Sequence, residues 1–164
     1  MDHYTQDDWC PAFDGVLDRR GFHPETFAGK GDRVRRHNSI RNRFCPFAAA
    51  AHLQPELEKP GLLPPSPEQP NADRRRPADV YVPSWQQGAP ASFDFAVTSP
   101  VRQDVVLQAS LQPGAAATAY EQFKRTYLDT ALDCQRQGIS FIPLVAEPSG
   151  GYGPSAQCVF KAIA

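Results

Sequence analysis

No apolar run in the chain approaches the roughly 20 residues that a helix needs to cross a bilayer, so no helical membrane span is expected. Cysteine is scarce: Cys10, Cys45, Cys134 and Cys158 lie far apart with no paired spacing. The amino-terminal MDHYTQDDW is acidic and polar and has no apolar core of a secretory signal. Together these predict reduced thiols and an intracellular setting rather than a disulfide framework. Net charge is only −1, too close to zero to indicate a class of partner. No segment repeats another, which excludes a repeat array.

What is present is unevenly distributed. Eight of the thirteen arginines fall in two clusters, Arg33, Arg35, Arg36, Arg41 and Arg43 in RVRRHNSIRNR, and Arg74, Arg75 and Arg76. Basic clusters on a neutral chain suit a phosphate-binding face, with a solvated surface as the ordinary alternative. At 164 residues the chain has the length for one domain with a real core and not for two. Residues 1–32 have few apolar positions in register and are expected to form an irregular arm, leaving residues 33–164 as the domain.

Ile40, Phe44, Phe47, Ala48 and Ala51 recur at three- and four-residue spacing, which predicts an amphipathic helix over residues 34–52 that Pro46 kinks or splits. A short strand follows around Glu56–Glu58. Five prolines within residues 59–73 rule out helix and central strand there and predict a long, exposed, mobile loop. ADVYV (Ala78 to Val82) and SFDFAVT (Ser92 to Thr98) read as strands. The second alternates Phe93, Phe95 and Val97 with Asp94, Ala96 and Thr98. Residues 115–137 read as one helix with Gly138 as its terminating residue, and ISFIPLVAE as a buried strand before a glycine-rich turn and a short tail. The order helix, strand, loop, strand, strand, helix, strand predicts an α/β fold with one mixed sheet flanked by helices.

Asp79 and Asp94 are each the only charge in an apolar run, and a carboxylate inside a small sheet is costly unless paired, hydrogen-bonded or bound to a metal. If the two strands pair, both carboxylates reach one end of the sheet and can share Mg²⁺ or Mn²⁺. The ordinary alternative for Asp79 is a turn cap or a pairing with Arg74–Arg76. Lys124 lies between Tyr120 and Tyr127 beside the apolar stripe, placed either to meet the sheet or to snorkel outward. Glu121, one turn earlier, either assists it or pairs with it.

The blocks RHNSIRN, ELEKPGLL, RRPADVYV, SFDFAVTSP, AYEQFKRTYLD and FIPLVAEPSGGYGP lie within a match that covers about residues 31–156. In their types and order they resemble the restriction-endonuclease-like domain at the carboxyl end of reverse transcriptases encoded by non-LTR retrotransposons, a branch of the PD-(D/E)XK nucleases. The resemblance implies an αβββαβ core and Mg²⁺- or Mn²⁺-dependent nicking of target DNA. It implies Asp79 and Asp94 as metal ligands and Lys124 as the catalytic lysine, with Glu58 and Glu121 as auxiliary candidates and the arginine clusters as the DNA-binding face. DNA is the implied partner, with element RNA a second candidate and no membrane. The implied location is nuclear if the chain is functional and cytoplasmic otherwise.

The sequence also departs from that family. RPAD carries one residue more between proline and Asp79 than the family pattern, and the superfamily's usual lysine two residues past Asp94 is replaced by Ala96. Related proteins carry a zinc knuckle ahead of this region. Here Cys10 and His23 remain while Phe13 and Phe27 occupy ligand positions, and two ligands do not make a tetrahedral zinc site. Nothing resembles a polymerase region. The alternatives to an active nuclease are therefore an inactive nucleic-acid-binding fragment and a non-functional relic.

Overall fold

The computed structural model describes residues 32–64 and 77–164, with the backbone of residues 8–9 and 16–17. In the arm expected to be irregular, β1 (Asp8–Trp9) and β2 (Val16–Leu17) form a minimal antiparallel ladder with Asp8 across from Leu17. Two residues per strand are too few for alternation to register as a pattern. Cys10, His23, Arg74, Arg75, Arg76 and residues 65–73 of the proline-rich segment lie outside the described residues.

Helix α1 (Asp32–Ala50) runs continuously, with Pro46 inside it rather than at a break. The proline removes the N–H that would bond to the carbonyl of Asn42. Burial on either side compensates, because Phe44 and Ala48 are core residues. The Phe44 ring lies 5.3 Å from that of Phe93 and 5.2 Å from that of Phe95, centroid to centroid. The predicted stripe is narrower than expected: Ile40, Phe44 and Ala48 face inward, whereas Phe47 is 65% exposed.

Strands β3 (Glu56–Leu57), β4 (Val80–Val82), β5 (Ala91–Val97) and β6 (Ser140–Ala146) form one open mixed sheet in that order. The β3–β4 and β4–β5 pairs are antiparallel and β5–β6 is parallel. A parallel pair needs a long crossover. It is supplied by α2 (Val106–Leu111), α3 (Ala115–Thr126) and α4 (Thr130–Arg136), and α5 (Pro154–Ile163) follows the last strand.

The period of two divides the buried sheet between two helical layers. Val80, Val82, Ala91, Phe93, Phe95 and Leu144 pack against α1 and α5 through Phe44, Ala48, Ala156 and Val159. On the other face Ala96 and Val145 meet Ala117 and Tyr120 of α3, and Phe141 and Ile139 meet Cys134 of α4 and Leu63. Leu63 is thus a core residue at the start of the segment expected to be an exposed loop. Among the described residues, no helix is long and apolar enough to cross a membrane.

Two elements differ from the sequence reading. The helix expected over residues 115–137 is divided by a 3₁₀ turn, Tyr127–Asp129, in which Leu128 and Asp129 both take a φ of 52°. Two consecutive left-handed residues that are not glycine end α3 and redirect the chain, which lets α4 seat Cys134 on β6. Gly138, with φ 70°, follows α4 at the expected terminating position. The expected tail is instead α5, with Pro154 in its first turn and Ala156, Val159, Phe160 and Ile163 in or against the core.

Candidate active site

The register of β4 on β5 pairs Val82 with Ala91, Tyr81 with Ser92 and Val80 with Phe93. One step beyond, it brings Asp79 across from Asp94. Asp79 lies in the bend just before β4, and its backbone N–H donates to the carbonyl of Phe93 at 3.0 Å. Its side chain continues the ladder in place of backbone, since Oδ2 accepts the Phe95 N–H at 2.7 Å. The same oxygen accepts from Nε2 of His37 at 2.9 Å.

Asp94 shares the sheet face of Ser92 and Ala96, beneath α3. From that helix Lys124 Nζ reaches Asp94 Oδ2 at 2.9 Å, and the two side chains are 25% and 18% exposed. A carboxylate, an ammonium, a second carboxylate and an imidazole thus meet at one end of the sheet, drawn from β5, α3, the β4 bend and α1.

The electrostatics follow from this packing. Burial pushes the Asp94 carboxyl above the usual carboxylate range, opposed by the Lys124 ammonium and reinforced by Asp79. Burial pulls the Lys124 ammonium down, but Asp94, Tyr120 and Asp79 together outweigh it, and the net direction is upward. The hydrogen bond to Asp79 raises His37 despite its partial burial. His37 Nδ1 lies 3.1 Å from the Asn38 side-chain oxygen, so both ring nitrogens face acceptors and the doubly protonated ring is well served.

Removing the ammonium should expose the cost of the carboxylate. Lys124→Met is expected to lower stability near pH 7 by about 1–2 kcal/mol, less than for a fully buried pair because both groups keep some solvent contact. An acid whose folded pKa lies above its unfolded value takes up protons on folding, so its contribution improves as pH falls through the folded pKa. The deficit of the variant should therefore shrink on acidification. Urea denaturation at pH 7 and at mildly acidic pH measures it, and a deficit that grows toward acid would contradict this account.

The other candidates separate. Arg41 pairs with Glu58 at 2.7 Å beside the cluster: the Glu58 N–H donates to the Asp79 carbonyl at 3.0 Å, and the Arg41 charge opposes protonation of His37. Arg35 and Arg43 are exposed on α1 and Arg36 is half-buried. Glu121 turns away from Lys124. It is 3% exposed and accepts the N–H groups of Ser155 at 3.1 Å and Ala156 at 3.4 Å, capping α5.

Glu147 does the same for α3, accepting from Gly114 at 3.2 Å and Ala117 at 3.0 Å. A carboxyl at a helix amino end satisfies unpaired amides and complements the helix dipole. Glu121→Ala should cost about 1–2 kcal/mol by leaving buried amides of α5 unpaired, readable as a lower urea midpoint.

Sequence reading missed His37 as a member of this cluster. Its signal was its place one turn before Ile40 and Arg41 and two before Phe44, a polar residue on the inward stripe.

The donor set suits a hard divalent cation. Both acids offer oxygen, both are partly exposed, and among the described residues neither Oδ1 accepts a hydrogen bond. No three or more His, Cys, Asp or Glu side chains among the described residues converge into a ready-made cage. An ion held here would complete its shell with water and phosphate oxygens, as Mg²⁺ commonly does.

No family model matches the chain, and neither the curated proteins nor the solved structures yield a match.

Proposed function

We propose that the chain is a divalent-metal-dependent DNA endonuclease module of the PD-(D/E)XK type, akin to the domain carried by non-LTR retrotransposon reverse transcriptases. The observation that carries the reading is the contact between Lys124 and Asp94 at 2.9 Å, made across the sheet from a helix 30 residues downstream, beside Asp79. An isolated surface lysine would not be expected to point inward at a carboxylate that is itself disfavoured by burial. The element order also supports it: α1, three antiparallel strands, a helical crossover and the parallel β6 follow the αβββαβ plan.

Asp79 and Asp94 would hold Mg²⁺ or Mn²⁺, which when bound polarises phosphate and makes a water acidic enough to attack. Lys124 lies within reach of the same space. Its ammonium is held protonated by the carboxylates, so it orients a water or steadies a scissile phosphate by charge rather than acting as a base. His37 fixes Asp79, and the Phe95 N–H fixes the same oxygen, so the carboxylate is preorganised by two donors. Arg35 and Arg43 are available to contact the backbone of a duplex in a salt-dependent manner.

Supercoiled plasmid incubated with the purified chain and Mg²⁺ tests the reading. Open circles should form, and chelation by EDTA should stop their formation. Intact plasmid at high enzyme concentration in both Mg²⁺ and Mn²⁺ would overturn the assignment.

A further inference from the structure

Helix α3 and the turn that ends it carry an aromatic row that begins at the core and continues onto the surface. The Tyr120 and Phe123 ring centroids lie 5.5 Å apart with planes inclined by 34°, and those of Phe123 and Tyr127 lie 5.2 Å apart with planes inclined by 39°. Phe123 is 48% exposed and Tyr127 51% exposed. Tyr120 is the inner member, packed beside the Ala96, Ala117 and Val145 cluster, with the Arg102 guanidinium 5.6 Å from its ring. Contiguous exposed rings on a soluble domain mark a contact surface more often than chance.

The position of the row identifies the contact. Tyr120 lies one turn before Lys124 on α3, which is neighbour spacing on a helix, and Tyr127, in the turn that ends α3, continues the row through its ring contact with Phe123. The Tyr120 phenol lies close enough to Lys124 to favour its charged form. The row therefore starts inside the Asp94–Lys124 cluster and leads away from it. An apolar protein partner covering it would bury that ammonium and its carboxylate, an expensive step. A nucleic-acid strand has no such conflict, because its phosphates meet the cations while its bases lie on the rings.

We propose that Tyr120, Phe123 and Tyr127 form a stacking platform for an unpaired DNA strand beside the scissile phosphate. The preferred substrate is then DNA with single-stranded character next to the cleavage point, not a fully paired duplex. Stacking on rings is tolerant of sequence because every base offers a π face, so the platform selects strandedness and not base identity. The inference rests on the endonuclease reading and narrows its substrate.

The test is binding in EDTA, where cleavage is absent. A fluorescein-labelled 15-nucleotide single strand and the matching duplex are titrated with wild type, Phe123→Ala, Tyr127→Ala, the double variant and Phe123→Trp. Both rings are half-exposed, so the variants are expected to fold, and a thermal melt confirms it. Single-strand affinity should fall about tenfold for each alanine, within the range measured for base–aromatic contacts. Duplex affinity should change less than about twofold, and tryptophan should preserve single-strand binding.

Unchanged single-strand affinity in the double variant, or equal losses for both DNAs, overturns the platform. So does absence of single-strand binding by wild type, or a wild-type dimer that the double variant dissociates without effect on DNA. Because the assay needs no catalysis, a failed platform with intact plasmid nicking leaves the endonuclease reading standing. Ring-dependent binding without nicking would sink that reading and keep a single-strand-binding surface.

Discussion

Asp94→Ala is expected to lower Mg²⁺-dependent plasmid nicking by roughly a thousandfold, the scale on which loss of one preorganised charge in a water-poor site is felt. On the proposed reading the variant would remove two things at once, an oxygen for the cation and the anchor that draws Lys124 Nζ inward. Asp94→Asn separates them, since the amide retains the shape and an acceptor but loses the charge. It should be nearly as inactive. Folding should survive in both. Burial already disfavours the Asp94 carboxylate, so deleting it relieves part of the loss caused by freeing Lys124, a long side chain that can reach water. Net stability should move by less than about 1 kcal/mol. Full nicking activity in Asp94→Ala would show that catalysis resides elsewhere.

The largest stability effect is expected at Gly151, where alanine should cost about 2–3 kcal/mol and lower Tm by roughly 4–12 °C. A Cβ there would strike the Glu147 carboxyl and lie 2.8 Å from the Gly114 backbone nitrogen, which has no freedom to yield. The same two groups are hydrogen-bonded to each other, so the added methyl forces apart the cap that starts α3. The clash is steric and local, and calorimetry of the single variant measures it. A Gly151→Ala protein as stable as wild type would mean that the Glu147 cap is not formed in solution. Gly153 is a parallel case, because its Cβ would enter the space of the Glu121 carboxyl that caps α5.

These contacts give physical content to EPSGGYGP. As sequence it is a glycine-rich turn. In the folded chain Glu147 reaches back to the start of α3, and Gly151 and Gly153 leave room for two buried carboxyls. Nothing in the residues adjacent to Glu147 discloses its partner, since Gly114 lies 33 positions away. Glu121 is similar: one turn before Lys124, it was a reasonable auxiliary to the lysine. Only the docking of α5 against α3 shows that it faces Ser155 and Ala156 instead.

Strands were the most legible elements. Phe93, Phe95 and Val97 alternate with Asp94 and Ala96, and the observed β5 spans Ala91–Val97. Alternation is a local property of the chain, so it survives in sequence. Helix limits were less legible. The break depends on left-handed conformations at Asp129, which tolerates one, and at Leu128, which does not favour it, and the packing of α4 on β6 imposes it. Pro46 shows the reverse case, a local breaker overruled by the burial of Phe44 and Ala48.

By itself the sequence determined that Asp94 would sit alone in an apolar strand and that Lys124 would lie beside the stripe of a helix, because charge and periodicity are written residue by residue, whereas Asp79, expected inside a strand, lies in the bend before β4. Tertiary structure decided which of these groups meet. The antiparallel register brings Asp79 across from Asp94, the crossover lays α3 over that sheet face so that Lys124 reaches Asp94, and α1 delivers His37 to Asp79. It also decided that Arg41 serves Glu58, and that Phe123 and Tyr127 line the surface beside the site. The physical reason is common to all of these. Hydrophobic burial sets which face of each element turns inward, while long-range pairing sets which charged groups then become neighbours.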